Sequence, residues 1–164
     1  MTASNQISVL SPLFLGVAST LFTIIIHGLM LGVVISQVRR DLRVGLAGIR
    51  FWTDLMIVTG ATVLALAAHL VEMGAWALVF DVCGEFPDFA AAFYHSAVNY
   101  TTLGYGDVVM SARWRLLGPL EAADGMLMFG VSTAMIFAVV ERLLQVRFGP
   151  SDRQSATTPF LKIN

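Results

Sequence analysis

Three long apolar stretches restrict this chain to folds that suit a lipid bilayer. They cover about residues 9–38, 55–80 and 118–140, and each holds few charged residues. A helix needs about 20 mostly apolar residues to cross the hydrocarbon core of a bilayer. With 57% hydrophobic and 13% charged residues among 164 positions, the chain has room for three such helices and one short segment. We therefore predict an all-α membrane protein with three transmembrane helices.

The segment between the second and third stretches predicts a shorter helix. Pro87 and Asp88 are typical of a helix start, because proline and an acidic residue suit the first turn. Residues 88–100 contain few helix breakers but are too few to span a bilayer. Such a re-entrant helix is tolerated at membrane depth where protein or water surrounds it.

The string Thr-Thr-Leu-Gly-Tyr-Gly-Asp occupies residues 101–107. Backbone carbonyls point to one side when left- and right-handed conformations alternate, and Gly104 and Gly106 tolerate the positive φ that this requires. Rings of such carbonyls can replace the water shell of a dehydrated K⁺ ion. The predicted ion ligands are Thr102, which adds its hydroxyl at the inner end, Leu103, Gly104 and Tyr105.

The string and its flanks resemble the tetrameric potassium channel superfamily. Residues 91–107 (AAFYHSAVNYTTLGYGD) are similar to the family's pore helix and selectivity-filter loop, and residues 125–134 (GMLMFGVSTA) to its pore-lining inner helix. The resemblance covers about residues 55–145 and implies a prokaryotic-type channel with one pore loop per chain and one extra N-terminal helix. It implies a homotetramer in membrane lipid that conducts K⁺ passively, with no cofactor besides the permeant ion.

The resemblance also implies a division of the chain and further site residues. The expected domains are 1–53 (N-terminal helix and cytoplasmic basic loop), 54–146 (pore domain: outer helix 54–80, pore helix 88–100, filter 101–107, inner helix 118–142) and 147–164 (short cytoplasmic tail). The filter motif and its support would be Thr101, Gly106, Asp107 and His95. Gly125 matches the family's hinge glycine and Gly130 a close-packing position, and the Tyr105 ring would pack against the pore helix.

His95 departs from the family pattern, because tryptophan often stands at this position. We expect His95 to brace Asp107. With an ordinary pKa of about 6.5, it would make the current respond to external pH between roughly 5 and 7.

Several ionisable residues lie within the apolar stretches. Glu121 and Asp124 are expected to face the interior or a water-filled cavity. One or both would draw cations towards the pore or sense pH, or Glu121 would anchor the filter from behind. His69 and Glu72, at i and i+3, are expected to pair through a hydrogen bond without a third metal ligand, and His27 stands alone.

Arginines set the expected orientation. Arg39, Arg40, Arg43 and Arg50 lie between the first two stretches, and residues 1–12 carry no charged side chain. The positive-inside rule places that loop and the C-terminus in the cytoplasm and the N-terminus outside. We expect a prokaryotic cytoplasmic membrane.

Other functional classes find little support in the sequence. A net charge of −1 disfavours a nucleic-acid partner, and the single cysteine, Cys83, excludes intrachain disulfides. No nucleophile–base pair, phosphate-binding loop or HExxH string indicates an enzyme or a soluble substrate. Two alternatives remain: a subunit of a K⁺ uptake transporter, and a nonconducting or regulatory subunit that assembles with other K⁺ channels. The sequence does not indicate the gating stimulus.

Overall fold

Four helices make up the computed structural model, which describes residues 9–48 and 50–149. They are α1 (Leu10–Arg43), α2 (Phe51–Val82), α3 (Phe89–Tyr100) and α4 (Leu117–Phe148). No strand occurs in the described ranges. Three helices, α1, α2 and α4, are long and apolar enough to cross a membrane. The predicted fold class, an all-α membrane protein, is confirmed.

All three long helices extend beyond the stretches that the sequence indicates. Helix α1 continues through Arg39, Arg40 and Arg43, which we expected in a loop, and α4 continues to Phe148 instead of ending near 142. Arginine and leucine favour helix, so helices of 32 to 34 residues extend past the roughly 30 Å hydrocarbon core into water. The domain boundaries expected at 53/54 and 146/147 consequently fall inside α2 and α4.

Helix α2 packs against each of the other three helices. At one end of the bundle, small residues such as Ala61, Ala65 and Ala68 pack against Met30 and Met135. At the other end, Trp76 and Phe80 of α2 pack against α3 and α4. Many large apolar side chains on the outer faces stay exposed, as expected for surfaces that face lipid or other copies of the chain.

The ends of α2 and α4 meet at the arginine-rich side of the bundle. Arg147 forms an ion pair with Asp54 at 2.8 Å, and the Gly48 amide donates to the other carboxylate oxygen of Asp54 at 2.7 Å. These contacts fix the short connection between α1 and α2. The predictions for residues 1–8 and 150–164, including most of the tail, lie outside the described residues.

Candidate functional site

The short helix α3 positions the loop that follows it. Asp88 is its N-cap, and the carboxylate accepts a hydrogen bond from the Ala91 amide at 2.8 Å. The helix starts one residue later than expected, and its 12 residues extend only about 18 Å. It packs between α2 and α4. The loop at 101–107 therefore begins partway along the long helices and not beyond their ends.

The loop backbone alternates in hand along its length. Thr101 has φ −79°, whereas Thr102, Gly104 and Gly106 have φ of 60°, 61° and 72°. Among the described non-glycine residues only Thr102 has a positive φ, so the φ angle of Leu103 is negative, as is usual. The alternation predicted from the two glycines is confirmed. Thr102 was not foreseen, because a left-handed conformation costs a residue with a Cβ roughly 1–2 kcal/mol.

Amide groups of the loop are tied back to the end of α3. Thr102 donates to the Asn99 carbonyl at 2.8 Å, and Leu103 and Gly104 donate to the Val98 carbonyl at 2.9 and 3.2 Å. Within the described residues, no hydrogen bond ends on a carbonyl oxygen of residues 101–107. The loop thus turns its donors inward and leaves its acceptors available.

Residues 101–107 are all exposed on the single chain. Tyr105 is 68% exposed and Leu103 55%. Most of the Tyr105 side chain is thus uncovered within one chain. Its packing against the pore helix stays a prediction.

Asp107 is braced by Tyr94 and not by His95. The Tyr94 hydroxyl donates to Asp107 Oδ2 at 2.7 Å. The His95 ring lies one residue further along α3, where Nδ1 is 3.0 Å from the Val108 carbonyl and Nε2 is 2.7 Å from the Asn99 amide nitrogen. A neutral ring with its hydrogen on Nδ1 satisfies both contacts. The expected His95–Asp107 contact is therefore wrong.

Glu121 and Asp124 point into the helix packing. They are 0% and 1% exposed. Glu121 Oε1 lies within hydrogen-bond distance of the Ser96 hydroxyl of α3. Asp124 Oδ2 accepts hydrogen bonds from Trp76 at 2.8 Å and Thr23 at 2.7 Å. Neither acid faces water in the described chain, and the anchoring interpretation of Glu121 fits its position behind the loop.

The two glycines of α4 differ in their surroundings. Gly125 is buried, and a Cβ there would overlap the Tyr100 carbonyl oxygen, so α4 approaches the end of α3 closely at this point. Gly130 is exposed, and a Cβ there would meet nothing within 4 Å. Its close packing is not found within the chain. Helix α4 runs through Gly125 without interruption, so the hinge role stays a prediction.

A buried polar cluster escaped the sequence analysis. His69 and Glu72 pair as expected, at 3.2 Å, but His27 of α1 joins them, with Nδ1 2.9 Å from the Glu72 carboxylate. Ligand atoms of the three residues lie within 4.8 Å of one another. The expectation of no third metal ligand is wrong. His27 and Glu72 are 45 positions apart in the sequence. The one signal that could have indicated the cluster is His27 itself, an isolated polar residue in an apolar helix.

A comparison with family models gives one match, described as an ion channel, over residues 55–142. The chain belongs to this ion channel family. The match runs from α2 through α3 and the loop into α4 and leaves α1 outside. No curated protein and no solved structure matches the chain significantly. The chain is thus an integral membrane protein with an ion channel domain.

Proposed function

We propose that the chain forms a K⁺-selective channel that conducts K⁺ passively down its electrochemical gradient. The observation that carries this proposal is the loop at 101–107, with its alternating backbone and its unused carbonyl oxygens. A K⁺ ion that sheds its water needs a set of replacement oxygens, and stacked carbonyls provide them. The proposed ligands are the carbonyls of Thr102, Leu103, Gly104 and Tyr105, with the Thr102 hydroxyl at the inner end.

Several copies of the chain are needed for such a site. One loop provides oxygens on only one side of an ion, and its residues are exposed in the single chain. Fourfold repetition around a central axis, as in the potassium channels that the sequence resembles, would close the ring. The exposed Tyr105 ring and the open surface at Gly130 would then face neighbouring copies. We therefore propose a homotetramer.

Helix α3 contributes to cation binding through its direction. Its C-terminal end leads into Thr101 at the start of the loop, and that end of a helix carries a partial negative charge. The charge favours a cation at the base of the row of carbonyls. Asp107, held by Tyr94 at the other end of the loop, adds a negative charge at the mouth.

The arginine pattern supports an orientation with the N-terminus outside and the C-terminus in the cytoplasm. Arg39, Arg40 and Arg43 end α1 on the side where Arg147 ends α4 and pairs with Asp54. Positive residues accumulate on the cytoplasmic side of membrane proteins. The loop at 101–107 then opens to the outside of a prokaryotic cytoplasmic membrane.

Growth of cells that lack K⁺ uptake systems tests the proposal. Expression of this chain alone should restore growth at low external K⁺. Gly104→Ala, expressed to the same level in the membrane, should not, because a Cβ penalises the left-handed backbone at φ 61°. If the wild type assembles in the membrane but gives no growth and no K⁺ flux in vesicles, a nonconducting or regulatory subunit is the better description.

A further inference from the structure

Five polar side chains from all four helices meet in the interior of the bundle. His27 comes from α1, His69 and Glu72 from α2, Tyr100 from the end of α3 and Ser132 from α4. Their exposures are 2%, 4%, 0%, 0% and 5%. Polar groups at membrane depth are costly unless they are paired or functional. We call this set the Glu72 cluster.

The Glu72 carboxylate lies at the centre of the cluster. Oε1 is 2.9 Å from His27 Nδ1, and Oε2 is 3.2 Å from His69 Nδ1 and also contacts the Tyr100 hydroxyl. The same Tyr100 hydroxyl is 3.2 Å from His69 Nδ1. Two imidazole nitrogens, a carboxylate and a phenol oxygen therefore converge.

The other nitrogens of both rings face one hydroxyl. Ser132 Oγ is 3.2 Å from His27 Nε2 and 3.0 Å from His69 Nε2. A serine hydroxyl has one hydrogen to donate and two lone pairs. It can serve two bare ring nitrogens only in part, but it can accept hydrogen bonds from two N–H groups at once.

Counting hydrogens shows that two neutral rings cannot give every contact of the cluster its own hydrogen. With Glu72 ionised and both rings neutral, hydrogens on both Nδ1 atoms leave both Nε2 atoms bare, and the single Ser132 hydrogen can be donated to only one of them. Hydrogens on both Nε2 atoms satisfy Ser132 but leave two bare nitrogens facing the carboxylate. In a mixed pair the bare Nδ1 faces the carboxylate, and where that nitrogen belongs to His69, the single Tyr100 hydrogen is shared between it and Glu72 Oε2. One added positive charge, a proton or a metal ion, fills the contacts, and it also neutralises a carboxylate that would otherwise be buried without a counter-charge.

We propose that His27, His69, Glu72 and Tyr100 bind one divalent transition-metal ion of the Zn²⁺ class inside the bundle. Bonds of about 2.0–2.1 Å place two ligands of a tetrahedral zinc site about 3.3 Å apart, close to the 2.9 and 3.2 Å that separate these atoms. Metal-binding histidines donate their second N–H to an acceptor, and Ser132 is placed to accept from both. When a divalent ion binds and the Tyr100 phenol releases its proton to the solvent, the ion, the Glu72 carboxylate and the Tyr100 phenolate together form a neutral site.

The consequence concerns α1, which lies outside the matched channel region. His27 would tie α1 to α2, and Tyr100, the residue directly before Thr101, would tie both to the base of the loop. The metal ion would act as a structural clamp between the extra helix and the loop. This inference is independent of which ion the channel conducts.

Metal analysis of the purified full-length protein tests the proposal. The protein carries no polyhistidine tag, is treated with a chelator, is then loaded with excess Zn²⁺ or Co²⁺ in detergent, and is freed of unbound metal. We expect one ion per chain and, for Co²⁺, visible d–d absorption bands. His27→Gln and Glu72→Gln should lower affinity at least about tenfold. His95 is the one histidine of the chain's three that lies outside the Glu72 cluster. The matched control is therefore His95→Gln, which should retain the metal.

If a variant does not fold, measurements on the wild type alone still decide the proposal. Zn²⁺ should raise the melting temperature of the chelator-treated wild type in detergent. Folded wild type that retains less than about a tenth of an ion per chain overturns the proposal, and the missing charge is then a shared proton. Equal metal retention in wild type, His27→Gln and Glu72→Gln would place the ion elsewhere and also overturn it.

Discussion

The loop at 101–107 and the Glu72 cluster are both rich in polar groups but treat them in opposite ways. In the loop, the carbonyl oxygens accept no hydrogen bond within the described chain, and every residue is exposed. In the cluster, the side chains are buried and contact one another across four helices. The proposed ion site needs loops from several chains, whereas the Glu72 cluster forms within one chain.

This contrast distinguishes residues expected to act mainly in assembly and conduction from residues expected to act mainly in folding. Groups left open in a single chain are available to an ion and to other copies, so we expect changes there to affect conduction more than folding. Groups enclosed by four helices stabilise the position of those helices. Gly125, where α4 contacts the Tyr100 carbonyl, lies between the two regions and should affect both.

The largest expected effect is on conduction. Gly104→Ala should abolish selective K⁺ current, because a Cβ at φ 61° disturbs the row of carbonyls at a cost of roughly 1–2 kcal/mol per copy. Gly60→Ala is the matched control, since Gly60 is an exposed position of α2 where a Cβ meets nothing within 4 Å. Single-channel recording compares them. Unchanged selectivity in Gly104→Ala would show that this backbone conformation is not needed.

Gly125→Ala should reduce stability as well as current. Its Cβ would overlap the Tyr100 carbonyl oxygen, and forcing α4 away from α3 costs about 1–3 kcal/mol. We expect a melting temperature several degrees below that of the wild type in detergent. Gly130→Ala, in open space within the chain, should melt like the wild type. Equal melting of both variants would mean that the close approach is not maintained in solution.

A smaller effect is expected from Tyr94→Phe. It removes the hydroxyl that donates to Asp107, and because this hydrogen bond is exposed, water replaces much of it. In single-channel recordings the channel openings should become shorter, while the preference for K⁺ remains.

His95→Gln should leave any response of the current to external pH between 5 and 7 unchanged, since both ring nitrogens of His95 are satisfied in the neutral form. Loss of a pH response in His95→Gln alone would contradict this.

The smallest effect concerns Cys83, just after α2. Burial, followed by the negative charge of Glu85, raises the pKa of the Cys83 thiol, while Arg113 opposes the shift. At neutral pH the thiol is therefore protonated, and maleimide labelling should be slow and should accelerate as the pH rises above the ordinary range for cysteine. Arg113→Gln should slow labelling further at a given pH. Labelling at neutral pH as fast as that of a free cysteine thiol would contradict the raised pKa.

The sequence predicted features that depend on local chemistry. The three apolar helices, the start of α3 near Asp88 and the alternation at Gly104 and Gly106 follow from composition, helix-start signals and backbone freedom. The Tyr94–Asp107 contact was missed by one position, because the direction of a side chain on α3 depends on the helix rotation that packing sets. The helix ends were underestimated, since arginines of α1 remain helical in water.

Contacts between distant segments could not be predicted. His27 meets Glu72 and Asp124 meets Thr23 across 45 and 101 positions, and a single sequence does not indicate which helix faces meet. For the same reason the sequence left open whether Glu121 and Asp124 face a cavity. The structure places both in the packing, where their contacts to Ser96 and Trp76 hold the helices that surround the loop.

The most direct test of selective K⁺ conduction is the reversal potential of the purified protein in a planar bilayer, with K⁺ on one side and Na⁺ at equal concentration on the other. One elementary charge moved through 100 mV is worth about 2.3 kcal/mol, and a tenfold preference about 1.4 kcal/mol, so each tenfold preference shifts the reversal potential by about 60 mV. We predict a shift of at least about 60 mV, with the sign of K⁺ preference. A reversal potential near zero, with clear single-channel currents, would contradict the assignment of residues 102–105 as a K⁺ filter.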